Sequence, residues 1–403
     1  MSKKLLIGAV LSTTALTFAT NGVNLIGFSP ASRAMGGLSV GTPVNPVESI
    51  IRNPASMGNF EGKFFTEFGG TLFLPSVKSR ADVPGGPSET SKADRFLIPE
   101  FGIVHNITES LTFGLGAFGV SGLGVDYREP PNSSTPFAGM SYFQLMKLVP
   151  AISYRVNEMI SIGAGLHTSI GLLDLGKGSS QSLGFGVQVG AFLNMGDFIF
   201  GGISYQSPVA MTYKRVFDSD SDGNNEDLKL TQPQEAALGI GASPLDGLTV
   251  GLDLRWINWK GAQGYKDFKW NDQIVFAVGL EYMPTESISL RLGYNQGDSP
   301  IKSVSGACTN PSTCPNKIPD LNATFPDYSV YAMNLIYFPA IAKQHITVGV
   351  GFQPSERVGI DLSYVRALDS EVKLTPDSIS PTTAPLATKM SQNSLSFAVN
   401  WKF

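Results

Sequence analysis

Residue types that carry out catalysis are scarce in this chain of 403 residues. It has three histidines, His105, His167 and His345, and none lies in the context of a nucleophile motif such as G-x-S-x-G. A hydrolase acting on membrane lipid or protein needs a base placed beside its nucleophile. The sequence therefore predicts a protein that is not an enzyme and that uses no cofactor.

Two other groups of residues could form a disulfide or bind a metal ion. Cys308 and Cys314 lie in GACTNPSTCPN among turn residues, with no further Cys or His nearby for zinc, so in an exported protein they predict a local disulfide. The stretch 218–223, DSDSDG, matches the first half of a calcium loop, but Lys229 stands where that loop has a bidentate glutamate. A solvated acidic loop is favoured over weak external calcium binding, and no metal site is predicted.

Charged residues also occur at alternate positions of strand-like segments. In the run from Leu248, five apolar side chains alternate with Thr249, Gly251, Asp253 and Arg255. Successive side chains of a strand point to opposite faces, so we assign the apolar face to lipid and the charged face to a lumen. Charged side chains that face a filled interior must be paired, so we predict an ion-pair network among them. Its members are Glu67, Glu100, Lys147, Arg155, Glu235, Asp253, Arg255, Glu281, Arg291 and Asp361.

The elements that would position these charges are β-strands. Period-2 runs predict fourteen of them, at 63–75, 96–107, 110–120, 143–157, 159–172, 182–194, 197–215, 229–242, 247–259, 271–283, 287–297, 345–354, 357–373 and 389–403. Short turns alternate with long polar loops at 76–95, 121–142, 173–181, 216–228, 260–270, 298–344 and 374–388. This alternation indicates an antiparallel outer-membrane β-barrel, with 328–338 as an ordered part of the sixth long loop.

The two ends of the chain support export to the outer membrane. Residues 1–20 contain Lys3, Lys4 and an apolar run that ends in small residues, which predicts a secretory signal peptide. The last strand alternates to a terminal aromatic, Phe403, through which we expect recognition by the barrel-assembly machinery. Lipid and lipopolysaccharide of the outer membrane are the further expected partners. A net charge of -4 without a basic run excludes nucleic acid, and a monomer is expected.

Residues 21–60 differ from everything that follows. They are rich in Gly, Ser, Ala, Pro and Asn and have no sustained period of 2 or 3.6. Such a compact, mostly irregular unit has too little apolar surface to fold alone. We therefore predict a hatch of residues 21–60 that plugs a barrel of residues 61–403.

Several motifs resemble one family. They are Asn53-Pro54-Ala55 after GFSPASRAMGG, SYRVNEMISIGAGL (153–166), Gln232-Pro233-Gln234-Glu235 with LGIGAS, DLRWINW, LRLGYNQGDSPI (290–301), FPDYS (325–329) and the terminal strand. The chain resembles the outer-membrane transporters of hydrophobic compounds of FadL and TodX type. The resemblance implies a fourteen-stranded barrel with an N-terminal hatch that carries fatty acids or hydrocarbons. It places Asn53, Pro54 and Ala55 in the hatch motif.

The third strand carries an unusual run of glycines. They are Gly114, Gly116, Gly119, Gly122 and Gly124, and glycine weakens strand pairing and marks bulges. In the family this strand kinks inward and opens the wall sideways, so the run is the candidate lateral exit. Ordinary barrel glycines are the alternative.

Apolar residues in two external loops are candidates for ligand capture. They are Phe118, Leu123, Tyr127, Phe137, Met140 and Phe143 in the second loop, and Tyr331 and Phe338 in the sixth. Packing of the loops against each other is the alternative role. The predicted function is passive uptake of a hydrophobic small molecule, a fatty acid or a hydrocarbon, and the second candidate is a diffusion porin for polar solutes.

Overall fold

The structure is a computed structural model that describes residues 21–128, 137–196, 198–218, 223–321, 323–380 and 382–403. The predicted signal peptide lies outside the described residues. Residues 219–222 of the acidic loop also lie outside the described residues. That this loop is solvated and does not bind calcium therefore stays a prediction.

Fourteen strands of the described chain form one closed antiparallel sheet. In chain order they are β1 (Phe64–Ala81), β2 (Phe96–Asn106), β3 (Leu111–Asp126), β4 (Met140–Arg155), β5 (Ile160–Asp174), β6 (Ser180–Asn194), β7 (Ile199–Gln206), β8 (Glu235–Leu245), β9 (Leu248–Ile257), β10 (Gln273–Thr285), β11 (Ile288–Gly297), β12 (Gln344–Ser355), β13 (Val358–Pro376) and β14 (Leu386–Lys402). Each strand pairs with the next, and β14 pairs with β1 from Phe65↔Lys402 to Ala81↔Leu386, which closes the barrel. The prediction of a fourteen-stranded outer-membrane barrel is confirmed.

The two faces of the strands differ as the sequence predicts. In β9, Leu254 is 40% exposed on the outer face, whereas Asp253 and Arg255 are 5% and 8% exposed on the inner face. The outer face carries large apolar side chains such as Phe68, Leu97 and Phe397. The wall thus presents an apolar band to lipid and keeps its charges inside.

Several predicted boundaries are wrong. β1 and β3 extend six residues past their predicted ends, to Ala81 and Asp126, and two further errors lie at prolines. The predicted seventh strand, 197–215, ends at Gln206 just before Pro208, and the predicted eighth, 229–242, begins only at Glu235, after Pro233. Proline lacks the N–H that a central ladder needs. The intervening residues form a separate external hairpin, in which Thr212–Phe217 pairs with Glu226–Lys229.

The segment 328–338 is an ordered part of the sixth loop, as predicted, but it is helical. It forms helix α3 (Asp327–Tyr337), which follows the helices α1 and α2 of residues 21–60 in chain order. Among the described residues no helix is long and apolar enough to cross a membrane.

The hatch contains three short helices, and each starts with the same local signal. They are α1 (Pro30–Ala34), α2 (Pro46–Arg52) and a 3-10 helix (Pro54–Asn59). In each, a Ser or Asn cap precedes a proline, and the cap side chain accepts a hydrogen bond from a backbone N–H of the first turn. Proline suits the first helical position because its nitrogen needs no partner there.

Buried polar contacts attach the hatch to the wall. The Asp253 carboxylate of β9 accepts hydrogen bonds from the backbone N–H groups of Ser39 and Val40, both at 2.9 Å, and of Gly41 at 3.2 Å. Arg33 of α1 donates to the Ser394 hydroxyl of β14 at 2.7 Å. These contacts place the hatch inside the lumen in one defined orientation.

Ion pairs connect several of the predicted lumen charges. Glu235 lies 3.6 Å from Arg255 and 3.9 Å from Arg52 of the hatch. Arg291 pairs with Glu281 at 2.7 Å and also with Asp361. For these residues the predicted ion-pair network is confirmed, and through Arg52 it reaches the hatch. For Glu67, Glu100, Lys147, Arg155 and Asp253 the prediction is wrong, since none of them forms an ion pair with a described residue. Asp253, for example, bonds backbone N–H groups instead.

Candidate functional site

On the external side of the hatch the interior is apolar and tightly packed. One small cavity of about 20 Å³ is lined by Val23, Leu123, Phe143, Leu228, Leu230, Tyr265, Phe268, Trp270, Asn334 and Phe338. That volume is about enough for one water molecule, whereas an apolar cavity of about 150 Å³ binds benzene. A hydrophobic ligand can therefore occupy this place only when side chains move.

The fifth external loop, residues 258–272, supplies an aromatic group in which Tyr265 and Trp270 line the small cavity and Trp259 packs against both of them. Trp259, Tyr265 and Trp270 contact one another with ring centroids 4.7, 5.0 and 4.8 Å apart. The indole N–H of Trp259 donates to the Gln273 amide at 2.8 Å, and that of Trp270 to the Asn334 amide at 2.9 Å. Their polar atoms are thus satisfied, and their faces remain available for apolar contact.

Sequence reasoning missed this aromatic group, although the signal was present. The segment WINWKGAQGYKDFKW has an aromatic density that a solvated external loop does not need. Burial raises the pKa of the Tyr265 hydroxyl well above its usual value, so the hydroxyl is neutral and fits an apolar lining.

The structure separates the eight predicted capture residues into groups, and it corrects the position of four of them, because Phe118, Leu123, Met140 and Phe143 lie in strands β3 and β4 and not in the second loop. Leu123, Phe143 and Phe338 line the small cavity, and Phe338 stacks on Phe268 at 6.4 Å. Tyr127 packs against Phe137 at 6.3 Å and contacts the Ser79 hydroxyl at 3.0 Å. The other three lie apart from the small cavity: Phe118 on Phe28 of the hatch at 5.7 Å, Met140 at the start of β4, and Tyr331 at a second, outer cavity.

Burial raises the pKa of the Tyr127 hydroxyl to about 12, so that group is neutral as well. Tyr127 and Phe137 therefore fit the packing role that the sequence left open for the loop aromatics.

The outer cavity, of about 460 Å³, has a basic rim over an aromatic floor. Lys260, Lys266, Lys269 and Lys302 surround Trp270 and Tyr331. Lys269 pairs with Asp327 and lies 5.4 Å from the Tyr331 ring, whereas the other three lysines make no ion pair within the described residues. Trp270 and Asn334 line both cavities, so one hydrogen-bonded pair separates them.

The hatch motif lies against the wall on the β5–β6 side. The Asn53 side-chain amide donates to the carbonyls of Val40 at 2.9 Å and Ala191 at 3.1 Å. A Cβ atom on Gly190 would lie 2.1 Å from the Asn53 oxygen, and one on Gly163 would lie 2.4 Å from the Ala55 nitrogen. Glycines in the wall thus allow the motif to approach the strands closely, while its role in transport stays a prediction.

The wall between β2 and β3 is incomplete. Its pairing runs from Asn106↔Thr112 to Glu100↔Phe118, and no pair lies beyond Phe118 within the described residues. The pairing of β3 with β4 continues to Asp126↔Met140, with a register shift between Gly119 and Ser121. A bulge therefore redirects β3 at the point where it leaves β2.

Beyond the bulge, the hatch pairs with the free edge of β3. Leu25 N donates to Val120 O at 3.1 Å, and Gly122 N donates to Val23 O at 3.0 Å. Of the five candidate glycines, Gly114 and Gly116 lie in the paired part of β3, Gly119 lies at the bulge, and Gly122 and Gly124 lie beyond it.

The cysteines are joined in the sixth external loop. Cys308 and Cys314 form a disulfide with their Cα atoms 6.3 Å apart, and it encloses a turn in which Cys314 N donates to Asn310 O at 3.1 Å. Among the described residues, no group of three His, Cys, Asp or Glu side chains could hold a metal ion.

Comparisons with known proteins agree with this geometry. Residues 8–178 match the family model described as outer membrane protein transport protein (OMPP1/FadL/TodX). A comparison with curated protein sequences finds no match.

Among solved structures, the toluene transporter TodX of P. putida has a TM-score of 0.70 at 17% identity, with 94% of this chain and 99% of that chain covered. The toluene transporter TbuX of Ralstonia pickettii has a TM-score of 0.66 at 17% identity, with the same coverage. A FadL homologue of Pseudomonas aeruginosa has a TM-score of 0.67 at 15% identity, with 95% of this chain and all of that chain covered.

At these identities the solved structures establish a shared fold. The family model adds a likeness in sequence over the hatch and the first strands of the barrel. The chain is therefore a bacterial outer-membrane β-barrel that resembles, in the sequence of its first part and in fold over nearly its whole length, the transport proteins of the FadL and TodX family.

Proposed function

We propose that this protein is a passive channel for the uptake of hydrophobic small molecules, long-chain fatty acids or aromatic and aliphatic hydrocarbons, across the outer membrane. One observation carries the proposal. A single cluster of buried apolar side chains extends from the fifth and sixth external loops, through Trp270 and Phe143, to Phe96 and Phe118 at the incomplete wall. An apolar solute gains little from an open aqueous pore, and it needs such a lining instead.

The route inward starts at the outer cavity. A ligand that displaces the Trp270–Asn334 pair reaches the place of the small cavity, where Phe338 and Phe268 must separate to admit it. Burial of about 150 Å² of apolar ligand surface contributes roughly 4 kcal/mol. This free energy favours the loops over water, and binding of that strength still permits release.

The route outward leads sideways. Below the apolar cluster the hatch carries Arg33, Glu48 and Arg52, all buried, and a path past these charges is costly for an apolar solute. Beyond Phe118, the described residues of β2 and β3 form no ladder that would have to break. Ile98 and Phe118 line its inner side, and Leu97 faces lipid. Movement of the hatch at Asn53, Pro54 and Ala55 would loosen the pocket and allow release.

The protein acts as a monomer in outer-membrane lipid and lipopolysaccharide, and its C-terminus serves assembly. Phe403 pairs with the start of β1, since its N–H donates to Phe64 O at 2.9 Å and its carbonyl accepts from Lys63 N at 2.9 Å. Its ring is exposed, where an assembly factor can reach it. No catalytic step belongs to this mechanism.

A diffusion porin for polar solutes is the second candidate, and uptake together with conductance separates the two. Cells that carry the protein are expected to accumulate radiolabelled oleate or toluene several-fold faster than cells without it, while planar bilayers show no large steady conductance. Gly122→Leu should slow uptake, because Gly122 contacts the hatch backbone at the incomplete wall.

The matched control is Gly201→Leu, where an added Cβ meets nothing closer than 3.8 Å. A steady large conductance with no effect on oleate or toluene would overturn the proposal in favour of a porin.

A further inference from the structure

The direction of the β2 backbone groups can be read from its hydrogen bonds. Along an antiparallel strand, successive residues point their N–H and C=O groups to opposite neighbours. Asn106 N donates to Lys63 O at 2.9 Å, on the β1 side, and Ile107 N donates to Leu111 O at 2.9 Å, on the β3 side. Even-numbered residues of β2 therefore face β1, and odd-numbered residues face β3.

This alternation holds along the whole strand. The register between β1 and β2 runs without a shift from Phe64↔His105 to Phe73↔Phe96. Residue 99 is odd-numbered, so its nitrogen faces β3, and it is a proline. Phe101 is opposite Ala117, so the next bonded pair of the ladder would join Pro99 to Gly119.

The ladder stops at that pair. Proline has no N–H, so Pro99 cannot donate to the Gly119 carbonyl. The bulge of β3 follows at once, and it reverses which residues of β3 face the open edge. Val120 and Gly122 then bond the hatch at Leu25 and Val23.

We propose that Pro99 is a positioning residue that keeps the wall open between β2 and β3. To close the wall, β3 would give up its two bonds to the hatch and would gain an incomplete pair at Pro99. With a residue that has an N–H at this position, the closed wall gains the missing bond and competes with the hatch for the same edge. Pro99 contacts no ligand in this role, which rests on the proposed lateral release.

The experiment uses the full-length protein in lipid nanodiscs and in cells. The variants are Pro99→Val, with Pro99→Ala as a second variant in case valine impairs folding. The control is Pro150→Val in β4, where a proline also interrupts a ladder, that with β5 at residues 149 and 150, but where the pairing resumes on both sides and the wall stays closed. Hydrogen exchange is measured at the Leu97 amide, which also faces the gap, and uptake of oleate and toluene is measured at matched surface levels.

Restoring the donor at residue 99 should slow exchange at Leu97 and lower uptake, each about tenfold, the effect of about one net hydrogen bond. The double variant Pro99→Val with Leu97→Pro removes a donor from the same edge and should restore uptake. The control Pro150→Val should match the unmodified protein in both measurements.

Failure of the role of Pro99 and failure of the proposed lateral release give different results. Unchanged exchange at Leu97 in both Pro99 variants would overturn the role of Pro99, whatever the uptake rate. Slowed exchange with undiminished uptake would support Pro99 as the residue that holds the wall open, and it would overturn lateral release as the route of transport.

Discussion

At the residue scale, Asn53 connects the hatch to the wall through one fully buried side chain. Its amide satisfies the carbonyls of Val40 in the hatch and Ala191 in β6, and its oxygen accepts from Ala55 N at 3.3 Å. Pro54 restricts Asn53 to extended backbone, which suits a residue that ends α2 and caps the next helix. One residue therefore sets both the local turn and the contact with the barrel.

We expect Asn53→Ala to slow uptake and leave assembly intact. The substitution leaves the buried Val40 carbonyl without its partner, at a cost of about 1–3 kcal/mol, and removes the bond to Ala191 of the wall. Both losses loosen the hatch, while the ladder that closes the barrel is untouched. Gly190→Ala should act alike, since its Cβ would lie 2.1 Å from the Asn53 oxygen. Uptake of oleate and toluene is the readout, and heat-modifiability on gels reports assembly.

The control is Asn157→Ala in the exposed turn between β4 and β5. Undiminished uptake in both Asn53→Ala and Gly190→Ala would show that hatch movement does not limit transport.

At the scale of elements, the fifth loop and α3 together form the external mouth. The Trp270 side chain from the loop bonds Asn334 from the helix, and Lys269 pairs with Asp327 at the start of α3. Burial opposes ionisation of Asp327, but its hydrogen bonds to Lys269 and Asn316 prevail and lower its pKa. The mouth is thus held by both charged and neutral contacts around an aromatic floor.

The exposed lysines of this mouth should discriminate between ligands. We expect Lys266→Gln combined with Lys302→Gln to slow oleate uptake about threefold at low salt, because a carboxylate loses its attraction to the rim. Toluene has no charge, so its uptake should stay the same. Lys177→Gln with Lys214→Gln, at other external loops, is the matched control.

The effect of the two lysine substitutions on oleate uptake should become smaller at high salt, since exposed charges are screened. Equal slowing of oleate and toluene would mean that these substitutions alter the shape of the mouth rather than its charge.

At the scale of the whole molecule, the hatch is a plug in a barrel that closes without it. The β14–β1 ladder joins seventeen residue pairs and includes none of the hatch residues. If the hatch is removed, Asp253 and Glu235 lose their partners in it, but they then face water instead of a buried interior, and Arg255 keeps its ion pair with Glu235. The barrel therefore has its own basis for stability.

We expect deletion of residues 21–60 to leave a heat-modifiable barrel with raised conductance, because the lumen then fills with water. Gel mobility before and after heating reports folding, and planar bilayers report conductance. The Asn53→Ala protein serves as the comparison, since it retains the plug. Complete loss of assembly on deletion would mean that the hatch is needed for folding and is not a separable plug.

The strands and the hatch were predictable because their signals are local. Alternation in the run from Leu248 follows from the geometry of a single strand next to lipid, and each hatch helix begins with a cap followed by proline. The loop aromatics were less predictable. Phe143 and Phe338 were recognised as candidates, but Trp259 and Trp270 were not, because only their meeting in space makes them one aromatic group.

By itself, the sequence determined the number of strands, the face that each presents to lipid, the irregular plug and the disulfide partners, all of which depend on neighbours along the chain. The tertiary structure decided where the wall is incomplete, since that depends on which backbone groups of β2 and β3 face each other across the sheet. It also decided that the edge of β3 bonds Val23 and Leu25. Those residues lie about a hundred positions away, and no local pattern at Gly119 indicates such a partner.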